Sequence, residues 1–141
     1  MKLLRFNKSS IESSSLVLLN SFFILYGQTA YENLSAAVAA IPSGGSGVLT
    51  VEGGTYIGSA NFNVVISDKN VTIMPKDSLD PVIFSADFYQ NYLFWVEGHA
   101  QLTMEDITMT GEFTTVALLF YKCNQVCTVS NCEFKNIEYK D

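Results

Sequence analysis

Arginine is almost missing from this chain: Arg5 is the only one in 141 residues. Lys and Arg together number 8 against 14 Asp and Glu, a formal charge of −6. A chain so short of basic residues has no face for a phosphate backbone, which argues against nucleic-acid binding. Histidine is as scarce. His99 stands alone, so it makes neither a metal site nor a base-driven nucleophile by itself, and it reads as an exposed turn histidine. Nine Gly and three Pro are too few for a collagen-like chain, and 48% apolar residues are too many for a disordered one. Long apolar runs are missing too. Tyr92–Val96 is of strand length and cannot cross a bilayer. What is present fits one domain.

The first thirty residues read as a targeting segment. Lys2, Arg5 and Lys8 are basic, Leu16–Leu19 and Phe22–Tyr26 are apolar, and Gly27, Thr29 and Ala30 are small. That order is the plan of a secretory signal peptide over residues 1–30, although Glu12 and Gln28 depart from it. Its removal would leave five lysines against thirteen carboxylates, a charge of −8, and no arginine. The expectation is an extracellular or cell-surface chain with no membrane span after signal removal. Asn33-Leu34-Ser35 and Asn70-Val71-Thr72 would then be glycosylation acceptors in a eukaryote.

The chain repeats itself. Tyr92–Gly111 (YLFWVEGHAQLTMEDITMTG) aligns without gaps on Ala117–Asn136 (ALLFYKCNQVCTVSNCEFKN) at an offset of 25. Leu102 falls on Cys127, Ile107 on Cys132, and Phe94 on Leu119, with Asp106 on Asn131 between two short alternating strands. A shorter, gapped copy runs from Val64-Val65-Ile66 to Val71-Thr72-Ile73. An antiparallel sandwich has many short strands but no need of such self-similarity. A parallel β-solenoid needs it, because each coil stacks equivalent residues. Asp106 and Asn131 suit its corners, since Asx side chains tolerate left-handed dihedrals.

Asn33–Ile41 (NLSAAVAAI) places Leu34, Val38 and Ile41 on one helical face, with Asn33 as N-cap and Pro42 as a stop. Such a helix would cover the open end of a solenoid. The sequence then reads VLTVEGGTYIG and NVVISDKNVTIMP. This succession of helix, turn glycines and core strands, over about Asn33 to Lys135, resembles the start of the right-handed parallel β-helix in pectin-lyase-like proteins. Its first part is similar to the opening of pectinesterases. The resemblance implies an all-β right-handed parallel β-helix of about three to four coils with an N-terminal capping helix.

The family's chemistry does not carry over onto these residues. Lyases on this fold resemble one another in using Ca²⁺ and a basic residue, pectinesterases in two Asp, Gln and Arg, and polygalacturonases in Asn-Thr-Asp, an Asp pair, Gly-His-Gly and Arg-x-Lys. Here no arginine follows Arg5, there is no Asn-Thr-Asp and no Asp pair, and Gly98-His99-Ala100 matches at two residues only. Gln28, Gln90, Gln101 and Gln125 do not sit where the esterase pattern would place them. Anionic uronates need cations to hold them. Asp77, Asp80 and Asp87 are the only clustered carboxylates that could recruit Ca²⁺, and they read as a solvated acidic loop. No catalytic residue, cofactor or metal is expected.

Two constellations remain. Cys123, Cys127 and Cys132 are either small core residues or one disulfide, Cys123–Cys127, with Cys132 left over. If Phe94 and Val96 face inward, Leu93 and Trp95 face outward with Leu118 and Phe120 above them. Trp95 and Phe120 would then form an aromatic strip suited to a sugar or a protein, unless the loop Asp77–Asn91 folds over it. After Lys135 the sequence offers no capping element. The domain of residues 31–141 is therefore expected to be incomplete at its C-terminus or covered by another chain, as in an end-to-end oligomer. The favoured role is a non-catalytic domain for structure, adhesion, or carbohydrate or protein contact. The alternative is the N-terminal part of a carbohydrate-active enzyme with its catalytic residues beyond residue 141.

Overall fold

The computed structural model describes residues 23–86, 92–111 and 116–136. The basic part of the expected signal segment, Asp87 and Gln90, and the last five residues lie outside them. The chain runs through β1 (Ile24–Tyr26), β2 (Thr29–Tyr31), α1 (Leu34–Ala40), β3 (Ser46–Val51), β4 (Gly54–Tyr56), a 3₁₀ turn (Ser59–Asn61), β5 (Val64–Ser67), β6 (Asn70–Pro75) and β7 (Val82–Ala86). It continues through β8 (Tyr92–Glu97), β9 (Gln101–Glu105), β10 (Ile107–Gly111), β11 (Val116–Tyr121), β12 (Thr128–Ser130) and β13 (Glu133–Lys135). Three sheets result: sheet A in the order β12-β9-β6-β3-β1-β2, sheet B in the order β13-β10-β7-β4, and sheet C in the order β11-β8-β5. From β3 onward each coil lays one strand on each sheet, and every such pairing is parallel. This is a β-solenoid of three coils plus the first two strands of a fourth, as the repeat predicts, with one short α-helix among the described residues.

The corners follow from backbone chemistry. Asp106 and Asn131, between the A and B strands of successive coils, adopt φ of 54° and 51°. Asx side chains are among the few that accept this left-handed conformation. At the corner from sheet C to sheet A, the first residue is again left-handed in each coil: Asp68 at 52°, Gly98 at 66° and Lys122 at 51°. That corner also grows. It holds Asp68-Lys69, then Gly98-His99-Ala100, then Lys122 to Gln125 as far as Val126, which lies level with Gln101 in the Thr103–Thr128 register.

The growth corrects the gapless alignment. An offset of 25 holds for β9 under β12 and for β10 under β13. On sheet C the offset is 24: Leu118 stacks on Phe94, Leu119 on Trp95 and Phe120 on Val96. The extra corner residue had been absorbed into the preceding strand, and a slip of one exchanges the two faces of a strand. Leu119 is therefore not the residue above Phe94, and Leu118 and Phe120 belong to the inward rows. Leu93, expected outside, is fully buried with Phe94, so the start of β8 is covered on both faces.

The core consists of stacked rows such as Leu49–Ile73–Met104 on sheet A and Val64–Phe94 on sheet C, all buried. Phe84 stacks on Tyr56 of the same sheet at 5.2 Å and meets Phe94 of sheet C edge-on at 6.4 Å, linking sheets B and C. At one end α1 lies across the rows, burying Leu34, Ala37 and Val38. Asn33 Oδ1 accepts the Ala36 N–H at 2.8 Å, the N-cap that the sequence predicts. Asn61, the one buried polar side chain among the described residues, accepts the Leu34 N–H at 2.9 Å and donates to Ile57 O at 3.0 Å. Lys69 Nζ donates to Val38 O at 3.1 Å and to Ile41 O at 2.7 Å, satisfying carbonyls at the helix C-terminus. Beside the helix, β1 pairs antiparallel with β2 and with β3, and Ile24 is fully buried. A cut after Ala30 would remove β1 and most of β2 from this sheet. No helix among the described residues is long and apolar enough to cross a membrane.

Candidate functional site

Sheet C presents its outer face through two registered rows: Val65–Trp95–Leu119, and Ser67–Glu97–Tyr121. Trp95 sits half-buried between two tyrosines. Its ring centroid lies 5.4 Å from Tyr92 and 5.6 Å from Tyr121, at interplanar angles of 71° and 62°. Both are edge-to-face arrangements that aromatic quadrupoles favour. The indole N–H donates to Glu97 Oε2 at 3.0 Å, two residues along the same strand. Lys122 Nζ stands 5.1 Å from the Tyr121 centroid. Val65 and Tyr121 are each 46% exposed, so the rows are open on that side. The face is thus apolar and aromatic in its middle, with one carboxylate and one ammonium at its rim.

Phe120, the other residue of the expected strip, is not on this face. Its register with Val96 places it on the inward row, where Val96 is fully buried. Phe120 is nevertheless 44% exposed, because it is the last member of that row among the described residues. Tyr92 and Tyr121 take its place beside Trp95. A one-residue gap in the corner of the repeat alignment, pairing Gly98 with Lys122, would have brought Tyr121 to the outer face.

The remaining sequence candidates are dispersed. His99 is exposed at its corner, and its Nδ1 lies 3.0 Å from Asn124 Nδ2, its equivalent one coil on. Asp77 Oδ1 accepts the Leu79 N–H at 3.0 Å in an exposed turn that also contains Asp80. No group of three or more His, Cys, Asp or Glu among the described residues is placed to hold a metal ion. Asn70 is exposed on sheet A, with Nδ2 3.3 Å from Ser46 Oγ, at the side of a shallow groove of about 450 Å³ lined by Tyr26, Val48, Thr72 and Gln101. Asn33 is half-buried and occupied as the helix cap.

The three cysteines are free thiols, all half-buried against the core. Cys127 and Cys132 take the levels of Leu102 and Ile107, as the repeat predicts. Cys123 Sγ lies 3.8 Å from Cys127 Sγ. Burial pushes the Cys127 and Cys132 thiols above the ordinary thiol range.

These features define a β-solenoid protein with one aromatic outer face. No family model matches the chain, and no curated protein or solved structure matches it either.

Proposed function

We propose that this chain is a secreted or cell-surface, non-catalytic β-helix domain of the pectin-lyase-like kind that contacts neutral carbohydrate through the outer face of sheet C. The carrying observation is Trp95, partly exposed and clamped between Tyr92 and Tyr121. Two edge-to-face contacts and the Glu97 hydrogen bond hold the indole in one orientation, so little side-chain freedom is lost on binding. Aromatic surfaces suit the apolar faces of sugar rings, and carboxylate and phenol groups at the rim suit their hydroxyls. The charge selects among sugars. With no arginine after Arg5 and a net charge of −6, the chain is poorly equipped to neutralise polyuronates.

Trp95 is the only tryptophan, so its fluorescence reports on the face directly. Titration with a neutral β-glucan oligosaccharide is expected to change the emission saturably, whereas polygalacturonate leaves it unchanged. Trp95→Ala removes the reporter, so glucan affinity electrophoresis supplies the second readout, with retardation lost in that variant. Equal retardation of Trp95→Ala and the parent chain would discard the face as a sugar site. Release of uronate or methanol from pectin by the purified chain would overturn the non-catalytic reading.

A further inference from the structure

We propose that Cys123 and Cys127 are a reversible dithiol pair, oxidised by low-molecular-weight disulfides to an intrachain bond that staples the corner of the last coil. Their Sγ atoms stand 3.8 Å apart. A disulfide needs about 2.05 Å, so the two sulfurs have a little under 2 Å to close. Both sulfurs are already aimed into the same space. Cys123 Sγ donates to Ala100 O at 3.2 Å, and Cys127 Sγ accepts the Leu102 N–H at 3.4 Å. Cys132 is held elsewhere, on Ser130 O at 3.3 Å and Met104 O at 3.6 Å. The lengthened corner supplies the geometry, since Cys123 belongs to its added span and Cys127 to the inward row that follows. The location gives the bond a purpose. Among the described residues β12 and β13, like β11 before them, are paired along one edge only, so the fourth coil has a backbone partner on one side alone.

The redox step balances with a disulfide such as oxidised glutathione. The Cys123 thiolate attacks one glutathione sulfur, the glutathione S–S bond breaks, and a glutathione thiolate leaves. The Cys127 thiolate then attacks Cys123 Sγ and expels the second glutathione. Two cysteine thiols lose two electrons and two protons, and one glutathione disulfide becomes two thiols. Oxidation gives up the Cys123 hydrogen bond to Ala100 O, while Cys127 Sγ keeps its lone pairs for the Leu102 N–H. Burial raises the Cys127 thiol, so its thiolate is scarce near neutral pH and the closing attack speeds up as the solution is made alkaline.

The test uses the full chain, reduced, incubated with oxidised glutathione, acid-quenched, alkylated and mapped by tandem mass spectrometry. Titratable thiols should fall from three to one, with Cys132 alone alkylated and the Cys123–Cys127 segment lighter by two hydrogens. Alkylation of all three, or a bond that includes Cys132, overturns the pairing. Cys127→Ser should trap glutathione on Cys123, and a variant that takes up none overturns the exchange route. Amide exchange in β11 and β12 should slow by about threefold or more on oxidation, and unchanged exchange overturns the stapling role.

Discussion

The first and last coils among the described residues are covered differently. Each coil buries its rows only under a neighbour. At the first coil the neighbour is α1 with the β1–β2 hairpin, fastened by Asn33, Asn61 and Lys69. At the last coil the same rows end in half-open residues: Val129 is 37% exposed and Phe134 44%, although Met104 and Met109 beneath them are fully buried. One row makes the contrast concrete, running Gly47–Val71–Leu102 and ending level with Cys127. A Cβ on Gly47 would lie 2.6 Å from Ile41 Cδ1 and 2.9 Å from Tyr26 Cε2, so the cap leaves no room for a side chain. At the other end the row carries a cysteine whose sulfur bonds back to the coil below. The capped end does more than cover apolar side chains: it also supplies partners for the helix termini and for the outer edge of β3.

Breaking the capped end should cost most. Gly47→Ala is expected to lose about 3 kcal/mol of stability through overpacking, read by denaturant unfolding. Cys127→Ala, on the same row, should lose about 1 kcal/mol or less, because that level is only half-buried. Equal losses would erase the distinction between the ends. Next comes Asn61→Ala, which leaves the Leu34 N–H and Ile57 O unpaired in a buried site and should cost about 2 kcal/mol.

Tyr56 sharpens the comparison through pH. Its hydroxyl lies 2.8 Å from Glu52 O and 3.1 Å from Phe23 O, which share its one proton, joining the first coil to the segment before β1. Burial, and then the Glu52 charge, hold the phenol well above its ordinary value of 10.0. The folded chain therefore keeps a proton that the unfolded chain releases. That stabilisation is complete below pH 10.0 and is lost as pH rises towards the folded value. The melting temperature should drop more steeply above that pH in the parent than in Tyr56→Phe, and parallel curves would remove Tyr56 as the cause. The smallest effect is expected at the open end. Phe134→Ala, with its ring 44% exposed, should lose about 1 kcal/mol or less, well below the cost of burying and then truncating a core phenylalanine.

Much of the fold was legible because its causes are local. The Asn33 cap, the Leu34–Val38–Ile41 stripe, the Asx corners at Asp106 and Asn131, and the alternation within β9 and β10 each depend on neighbours a few residues away. The candidate face was half legible. Trp95 was found by alternation, but Phe120 was paired with it through an offset that fails on sheet C by one residue. Tyr121 was missed for the same reason, whereas strict alternation along β8 groups Tyr92 with Phe94, and only the folded ring contact brings it beside Trp95. The β1–β2 hairpin was hidden differently, since a short apolar run followed by small residues serves a strand pair as well as a signal segment.

By itself the sequence determined the class of fold, the repeat and the capping helix, because periodicity and capping are properties of the chain read in order. The tertiary structure alone decided which residues share a face. A corner that lengthens from two residues to three and then four shifts the following register without leaving a mark in the strands themselves. Only the stack reveals it, since each coil is aligned by hydrogen bonds to the coil below.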